Sequence, residues 1–257
     1  MGTQTNDGGR HDRAAPAVGA ALSCLRPGVM RVEDCRLSVV PDRWRYADDN
    51  HDAIDRLWEQ RRVERPQLFN GRIFLMSAAT LAAGQLTASF IETEFKAYLH
   101  WREAGFPEAG VRDAFGSALI RTAEGYLLYG RQRPGHVNGG LVCPPGGFID
   151  PRDAGPDGDI DIAASIAREV AEETGLVASE LSVQPGYWLA ITGPHVSMAR
   201  EFRADRPALD LVAQIARTLA ADPDPELAEM VAIRSAADVE PTAPSHGRLL
   251  AAALLGG

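Results

Sequence analysis

The stretch 146–176 constrains the fold of this chain more than any other segment. Ile162, Ile166 and Val170 recur every four residues and form an apolar stripe. An amphipathic helix is therefore predicted from about Asp161 to Thr174, with a glycine at its C-terminal end. Two glycines and an Asp/Gly-rich loop precede this helix, so the segment predicts a tight loop leading into a half-buried helix.

Three carboxylates occupy the polar side of the predicted helix. Glu169 lies three residues before Glu172 and four before Glu173, which brings all three onto one helix surface. Arg168 is spaced to pair with Glu172. Mutual repulsion makes such a cluster costly unless cations bind, and oxygen ligands suit Mg²⁺ or Mn²⁺. A solvated acidic face is the alternative, but the glycines that flank the helix on both sides favour a functional cluster.

Charge and cysteine content exclude several classes of protein. The 257 residues carry a formal charge of −9, which argues against a general nucleic-acid surface, because a phosphate backbone repels acidic proteins. The three cysteines, Cys24, Cys35 and Cys143, are odd in number and lack the spacing of a metal site. A disulfide framework is therefore not expected, and a reducing compartment is. The chain shows neither an apolar run long enough for a membrane span nor a signal-peptide core. We therefore expect a cytoplasmic protein that binds neither membrane nor nucleic acid.

The segment resembles the Nudix box, whose second half it matches at every specified position: Arg168-Glu169-Val170-x-Glu172-Glu173-x-Gly175-Leu176. The first half departs from the family pattern. Asp153 stands where a glutamate is expected, and fourteen residues rather than seven separate it from the arginine. The extra residues can bulge from the loop. Because of this expansion Asp150, Asp159 or Asp161 could take the place of Asp153, or no residue could.

The resemblance implies an α+β fold, an α/β/α sandwich with a mixed sheet. It implies a Mg²⁺-dependent pyrophosphatase (Mn²⁺ can substitute) that acts on a nucleoside diphosphate linked to another moiety. Catalytic roles fall to Glu169, Glu172 and Arg168. Metal ligation falls to Glu169, Glu172 and Glu173 with the backbone carbonyl of Gly147 or Gly146. A distant general base, with Glu226 and Glu229 as candidates, completes the implied site.

The remaining chain suggests an accessory module. Residues 1–29 are predicted to be a flexible leader, 30–110 a small α/β domain and 111–257 the hydrolase core. This arrangement is similar to the Nudix subgroup that includes UDP-glucose/UDP-galactose pyrophosphatases. By that similarity the products would be UMP and a sugar 1-phosphate. ADP-ribose-like, dinucleotide and coenzyme A substrates remain alternatives, as does a nucleotide-sensing scaffold without catalysis. Many Nudix proteins are dimers, so the resemblance also allows a homodimer.

Four further residues are predicted to bind substrate. Arg121, Arg131 and Arg133 surround a predicted β-hairpin, where strand-end arginines could hold phosphates. Asn70 could reach substrate from the accessory module. The alternatives are solvated turns for the arginines and plain turn chemistry for the Asn70-Gly71 pair.

Secondary-structure patterns complete the prediction. The hairpin is expected to join strands on either side of residues 123–125. Later strands are expected at Ser182–Thr192, Leu209–Ile215 and Met230–Arg234, followed by a last helix at Gly247–Leu254.

Overall fold

The computed structural model of the protein describes residues 22–135 and 138–256. The described helices are α1 Arg45–Asp49, α2 His51–Glu64, α3 Phe95–Glu103, α4 Ile162–Thr174, α5 Ala208–Ala221 and α6 Ser245–Leu255. The described strands are β1 Gly28–Val32, β2 Asp34–Val39, β3 Arg72–Ala82, β4 Gln85–Glu94, β5 Asp113–Arg121, β6 Leu127–Gln132, β7 Val142–Cys143, β8 Asp159–Ile160, β9 Ser182–Val183, β10 Tyr187–Thr192, β11 His195–Arg203 and β12 Leu227–Ile233.

A large mixed sheet forms the centre of the fold. Its strands run in the order β1-β10-β11-β5-β6-β12, with β7 added beside β6 and β9 beside β11. β5 and β11 pair in parallel, whereas β5 and β6 form the predicted antiparallel hairpin. The predicted α+β class with a mixed sheet is confirmed.

The two faces of the large sheet bury different side chains because strand residues alternate sides. Ala118 and Ile120 face the core that contains Ile166 of α4 and Ile215 of α5. Leu119, between them, faces a second core that α6 helps to close. The sheet therefore lies between α4 and α5 on one side and α6 on the other, which is the expected α/β/α sandwich.

The small sheet, β3-β4-β2-β8, belongs to the N-terminal module (residues 30–110) except for its last strand. Along β3, Ile73 and Leu75 pack in an aromatic core with Trp58 and Trp101, while Phe74 and Met76 join the core shared with α4. Because side chains alternate along β3, one face of the strand packs against the rest of the protein. The helices of the N-terminal module cover its other face.

The expanded part of the box forms a short β tongue, residues 154–160, instead of a plain bulge. An antiparallel β-bridge between Ala154 and Ile160 joins the two ends of the tongue. Its last strand, β8, pairs with Leu37 and Ser38 of β2. Ile160 is buried in the shared core. The Phe74 amide also donates to the carbonyl of Ile149 at 2.8 Å. The N-terminal module therefore holds the box loop in place at two points.

Two sequence expectations differ from the structure. Of the expected leader, residues 1–21 lie outside the described residues, but 22–29 are ordered: Leu22 and Leu25 are buried, and β1 pairs with β10. The strand predicted at Leu209–Ile215 is wrong, because this segment lies within α5. Leu211, Ile215 and Leu219, four residues apart, form the buried face of that helix. None of the described helices has the length and apolar character needed to cross a membrane.

Candidate active site

The helix α4 begins and ends where its sequence dictates. The Asp161 side chain accepts a hydrogen bond from the Ala164 amide at 2.9 Å and caps the N-terminus. Gly175, with φ +70°, ends the helix in the left-handed conformation that glycine adopts without strain. The predicted helix is confirmed, and Ile162, Ile166 and Val170 form its buried stripe.

The three carboxylates of α4 occupy unequal environments. Glu169 and Glu173 are buried, the latter with only 4% of its surface exposed, whereas Glu172 is exposed. Burial raises the pKa of Glu169 to about 7; the Arg168 cation opposes the rise, and the negative charges of Glu172 and Glu226 add to it. Such a cluster binds protons readily because ionising all its members is unfavourable.

Glu173 is the most deeply buried of the three carboxylates. Burial raises its pKa well above the usual value, and the charges of Glu226 and Glu169 raise it further. The Gly146 amide lies near enough to oppose this in part, yet both carboxylate oxygens lack a partner with hydrogen-bond geometry among the described residues. A buried carboxylate without partners is costly, and a cation bound to its oxygens would remove that cost.

Arg168 holds the box loop against the helix. Its Nη1 donates to Oδ1 of Asp153 at 2.6 Å, and its Nη2 donates to Oε1 of Glu169 at 3.4 Å. Its Nε lies 3.9 Å from Oε1 of Glu172, which is the ion pair that the spacing predicts. The buried Asp153 also accepts the Asp150 amide at 2.9 Å. Asp153 therefore fixes the loop and the arginine rather than lining a cavity.

Two glycines let the loop approach the carboxylates closely. A Cβ at Gly146 would lie 2.2 Å from the Gly116 carbonyl oxygen. A Cβ at Gly147 would lie 2.9 Å from the Glu169 carboxylate. A side chain at position 146 would push the loop away from β5, and one at position 147 would push it away from Glu169.

These residues fit a divalent cation of the Mg²⁺ type. The available donors are carboxylate and carbonyl oxygens, and Glu173 offers two oxygens without partners. Within the described ranges, no three acid, histidine or cysteine side chains already converge as a ligand cage. Mg²⁺ does not require such a cage, since it commonly binds one or two carboxylates and completes its shell with water and substrate phosphates.

A cavity of about 980 Å³ opens beside the carboxylates. Glu169, Glu172 and Glu226 line one part of it, while Gly147 and Arg152 contribute from the box loop. The N-terminal module supplies much of the opposite wall: Phe69, Gly71, Arg72, Ile73, Phe95, Tyr98, Arg102 and Phe106. The volume lies in the range of cavities that bind cofactor-sized ligands.

The four predicted substrate-binding residues do not line this cavity. Arg121 pairs with Glu201, Arg131 with Glu229 and Glu240, and Arg133 with Asp224. Asn70 donates to Glu94 and accepts the Lys96 amide at the start of α3. Each side chain is engaged by neighbouring protein groups, and its role in substrate binding stays a prediction. Among the described residues, the arginines that line the cavity are Arg72, Arg102 and Arg152.

The two candidates for a distant base are placed differently. Glu226 lines the cavity, and its charge raises the pKa of both Glu169 and Glu173. Glu229 is exposed and accepts from Arg131 at 2.8 Å. Of the two, Glu226 is the one that lines the cavity.

The cavity is also lined by three titratable side chains that the sequence did not indicate as site residues. Asp113, His195 and His246 line it, although they come from β5, β11 and the start of α6. No local motif links these residues, because tertiary folding brings together segments that are far apart in sequence. Burial raises the pKa of Asp113 to about 7 and lowers that of His246 to about 4.

Comparison with known protein families identifies the core. The NUDIX domain model matches residues 110–252, which is more than half of the chain and includes the carboxylate helix, its glycine loop and the large sheet. The chain belongs to the Nudix family. It is therefore an enzyme, a Nudix hydrolase, and hydrolases of this family generally use a divalent metal, typically Mg²⁺.

Among solved structures, the Nudix chain is similar to RenU, a Nudix hydrolase from M. smegmatis, with 18% identity over 54% of this chain and 78% of that one (TM-score 0.33). It is similar to a MutT protein from Methanosarcina mazei Go1, with 22% identity over 53% and 88% (TM-score 0.32). It also matches Shewanella oneidensis NrtR complexed with a 27mer DNA, with 19% identity over 54% and 57% (TM-score 0.32).

These similarities carry no argument about substrate. No curated protein matches the chain. The expectation that it binds no nucleic acid stays a prediction.

Proposed function

We propose that this Nudix hydrolase cleaves, with Mg²⁺, the pyrophosphate bond of a nucleoside diphosphate linked to a second moiety. A nucleotide sugar such as UDP-glucose is the preferred substrate, giving a nucleoside monophosphate and a sugar 1-phosphate. The observation that carries the proposal is the carboxylate cluster of α4, two of whose three members are buried, beside a cavity of about 980 Å³. A cation held there turns an acidic surface into one that accepts phosphates.

The proposed roles of the residues are those that the Nudix resemblance implies. Glu169, Glu172 and Glu173, with the carbonyl of Gly147, would hold the metal. When bound, Mg²⁺ supplies neutralisation of the phosphate oxygens and lowers the pKa of a coordinated water. Arg168 positions Glu169 through its ion pair and is itself fixed by the buried Asp153.

Two further side chains would act on the substrate from the cavity wall. Glu226 is our candidate for the base that removes a proton from the attacking water, because it lines the cavity and interacts with the carboxylate cluster. Arg152 would contact a phosphate oxygen. Its guanidinium is held by Asp150 at 2.7 Å, and it is close enough for Glu169 and Glu172 to raise its pKa.

The preference for a nucleotide sugar rests on the resemblance to enzymes with an accessory domain, together with the wall that the N-terminal module contributes here. ADP-ribose, dinucleotides and coenzyme A are the alternative substrates. A non-catalytic nucleotide sensor is the alternative of another class. A cytoplasmic location and a homodimer accompany the proposal on the same resemblance.

The test is a panel of nucleotide sugars, ADP-ribose, a dinucleotide and coenzyme A incubated with Mg²⁺, with products identified chromatographically. Glu173→Gln should reduce release of the nucleoside monophosphate by about 100-fold or more, the usual scale for removing such a group. Glu59→Gln makes the same chemical change at an exposed residue of α2 that does not line the cavity, and it should leave turnover unaffected.

Wild-type turnover by Glu173→Gln would remove the metal assignment. Binding of a nucleotide by the native protein without hydrolysis of any panel member would favour the sensor instead. Both variants are checked for native folding by circular dichroism.

A further inference from the structure

One aromatic side chain in the cavity wall is largely exposed. Phe69 lines the cavity together with Phe95, Phe106 and Phe148, but 82% of its surface is accessible. The other three rings pack against aromatic neighbours within the N-terminal module and the box loop. A single exposed apolar residue is common on a protein surface, but this one lies in the wall of the candidate active site. A ligand bound in the cavity can therefore reach its ring.

The backbone that follows Phe69 is held in place. The Asn70 side chain accepts a hydrogen bond from the Lys96 amide at 2.9 Å, and the Gly71 carbonyl accepts one from the Phe95 amide at 2.8 Å. Both bonds tie this segment to the start of α3. The exposed ring is thus carried by an anchored backbone, which reduces the entropy that a ligand would have to remove on binding.

The segment that carries Phe69 also contacts the hydrolase core. Nε2 of Gln67 donates a hydrogen bond to the Gly135 carbonyl at 3.1 Å. Two residues before Gly135, the Arg133 amide donates to the carbonyl of Glu226, our candidate base, at 2.8 Å. Phe69 therefore lies where the N-terminal module meets the ends of β6 and β12, on the Glu226 side of the cavity.

Two amide side chains line the cavity from this part of the core. Gln132 ends β6, and Asn138 lies in the loop that follows it. The Gly140 amide donates to the Gln132 carbonyl at 2.8 Å, and the Leu141 amide donates to the Asn138 carbonyl at 3.0 Å, so the two residues belong to one turn. An amide group offers both a donor and an acceptor, as the edge of a nucleobase requires. An accessible aromatic ring beside such groups suits a flat, polar-edged ring.

We propose that Phe69 stacks on the nucleobase of the substrate and that the N-terminal module thereby binds the nucleoside half. The proposal rests on the proposed function and assigns one part of that substrate to one part of the cavity. Stacking tolerates every base, since each has a π face, so it accommodates the uracil of UDP-glucose. It distinguishes a ligand that carries a base from one that lacks it.

The experiment measures binding of UMP, ribose 5-phosphate and glucose 1-phosphate to the full-length protein with Mg²⁺ by calorimetry. UMP and ribose 5-phosphate share the ribose and the phosphate and differ in the base, and none of the three contains a pyrophosphate bond. The native protein should bind UMP about 5-fold or more tightly than ribose 5-phosphate, the scale of one stacked base.

Phe69→Ala should weaken UMP binding about 5-fold or more and leave ribose 5-phosphate and glucose 1-phosphate unchanged. Phe69→Tyr keeps the aromatic ring and should keep the preference for UMP. Leu209→Ala is the matched control, because Leu209 is a similarly exposed apolar residue that does not line the cavity. With UDP-glucose, Phe69→Ala should raise KM and leave kcat nearly unchanged, since stacking on the base is the same in the ground state and the transition state.

Equal binding of UMP and ribose 5-phosphate by the native protein, or an unchanged ratio in Phe69→Ala, would overturn the proposal. Weaker binding of glucose 1-phosphate alone would overturn it too, because the ring would then contact the sugar. The proposed function fails separately. A preference for UMP that depends on Phe69, without hydrolysis of any panel member, removes the function and leaves the base subsite. Hydrolysis of a nucleotide sugar with an unchanged ratio leaves the function and removes the subsite.

Discussion

Asp113→Asn should change how the stability of this protein depends on pH. In the folded protein burial raises the pKa of Asp113 from 3.8 to about 7, although the Tyr98 hydroxyl and the Arg102 cation act in the opposite direction. Asparagine occupies the same volume without titrating. The substitution therefore isolates the cost of ionising one buried carboxyl group.

The sign of the effect follows from proton binding. Below about pH 4 both the folded and the unfolded chain hold the proton. Between about pH 4 and pH 7 the unfolded chain releases it first, so the free energy of unfolding falls as pH rises, and above pH 7 the loss is complete. Between pH 5 and pH 8 this group alone should lower the free energy of unfolding by about 2.5 kcal/mol.

Urea unfolding of both proteins at several pH values between 5 and 8 gives the comparison. Glu169 titrates in this range as well, but it does so in both proteins, so the difference between the two curves removes its contribution. The native protein should lose about 2.5 kcal/mol more than Asp113→Asn as pH rises. Parallel curves would refute the argument, since they would show that Asp113 ionises as freely in the fold as in the unfolded chain.

Two further predictions concern the box. Gly147→Ala places a Cβ 2.9 Å from the Glu169 carboxylate, so steady-state assays should show a large loss of hydrolysis while circular dichroism stays native; full activity would contradict the close approach. Ile160→Ala empties a buried position in the tongue and should lower the free energy of unfolding by about 2–4 kcal/mol in urea titrations, whereas a change below about 0.5 kcal/mol would mean that the tongue does not dock.

The helix that carries the carboxylates was predictable because its signals are local. The spacing of Ile162, Ile166 and Val170 defines a buried stripe in any amphipathic helix, and Gly175 ends it by its own backbone preference. The segment at Leu209–Ile215 was misassigned to a strand because a short apolar run does not distinguish the two structures. The four-residue spacing of Leu211 and Ile215 decides for the helix only when extended to Leu219.

The substrate-binding residues were less predictable because ion pairs depend on remote partners. Arg121 and Arg131 have the chemistry to hold phosphates, but Glu201 and Glu240 occupy them from strands and loops much later in the chain. Arg152 is also paired, with Asp150, but it follows the box glycines and lines the cavity.

The sequence by itself determined the carboxylate helix, its glycine loop and the family, because residues close in the chain specify them. Only the tertiary structure decided what surrounds that helix. It placed Asp113, His195 and Tyr98 in one cavity, and it paired the expanded box with a strand of the N-terminal module. The physical reason is that the burial of a charge and the shape of a cavity depend on contacts between segments distant in sequence, and no local pattern records those contacts.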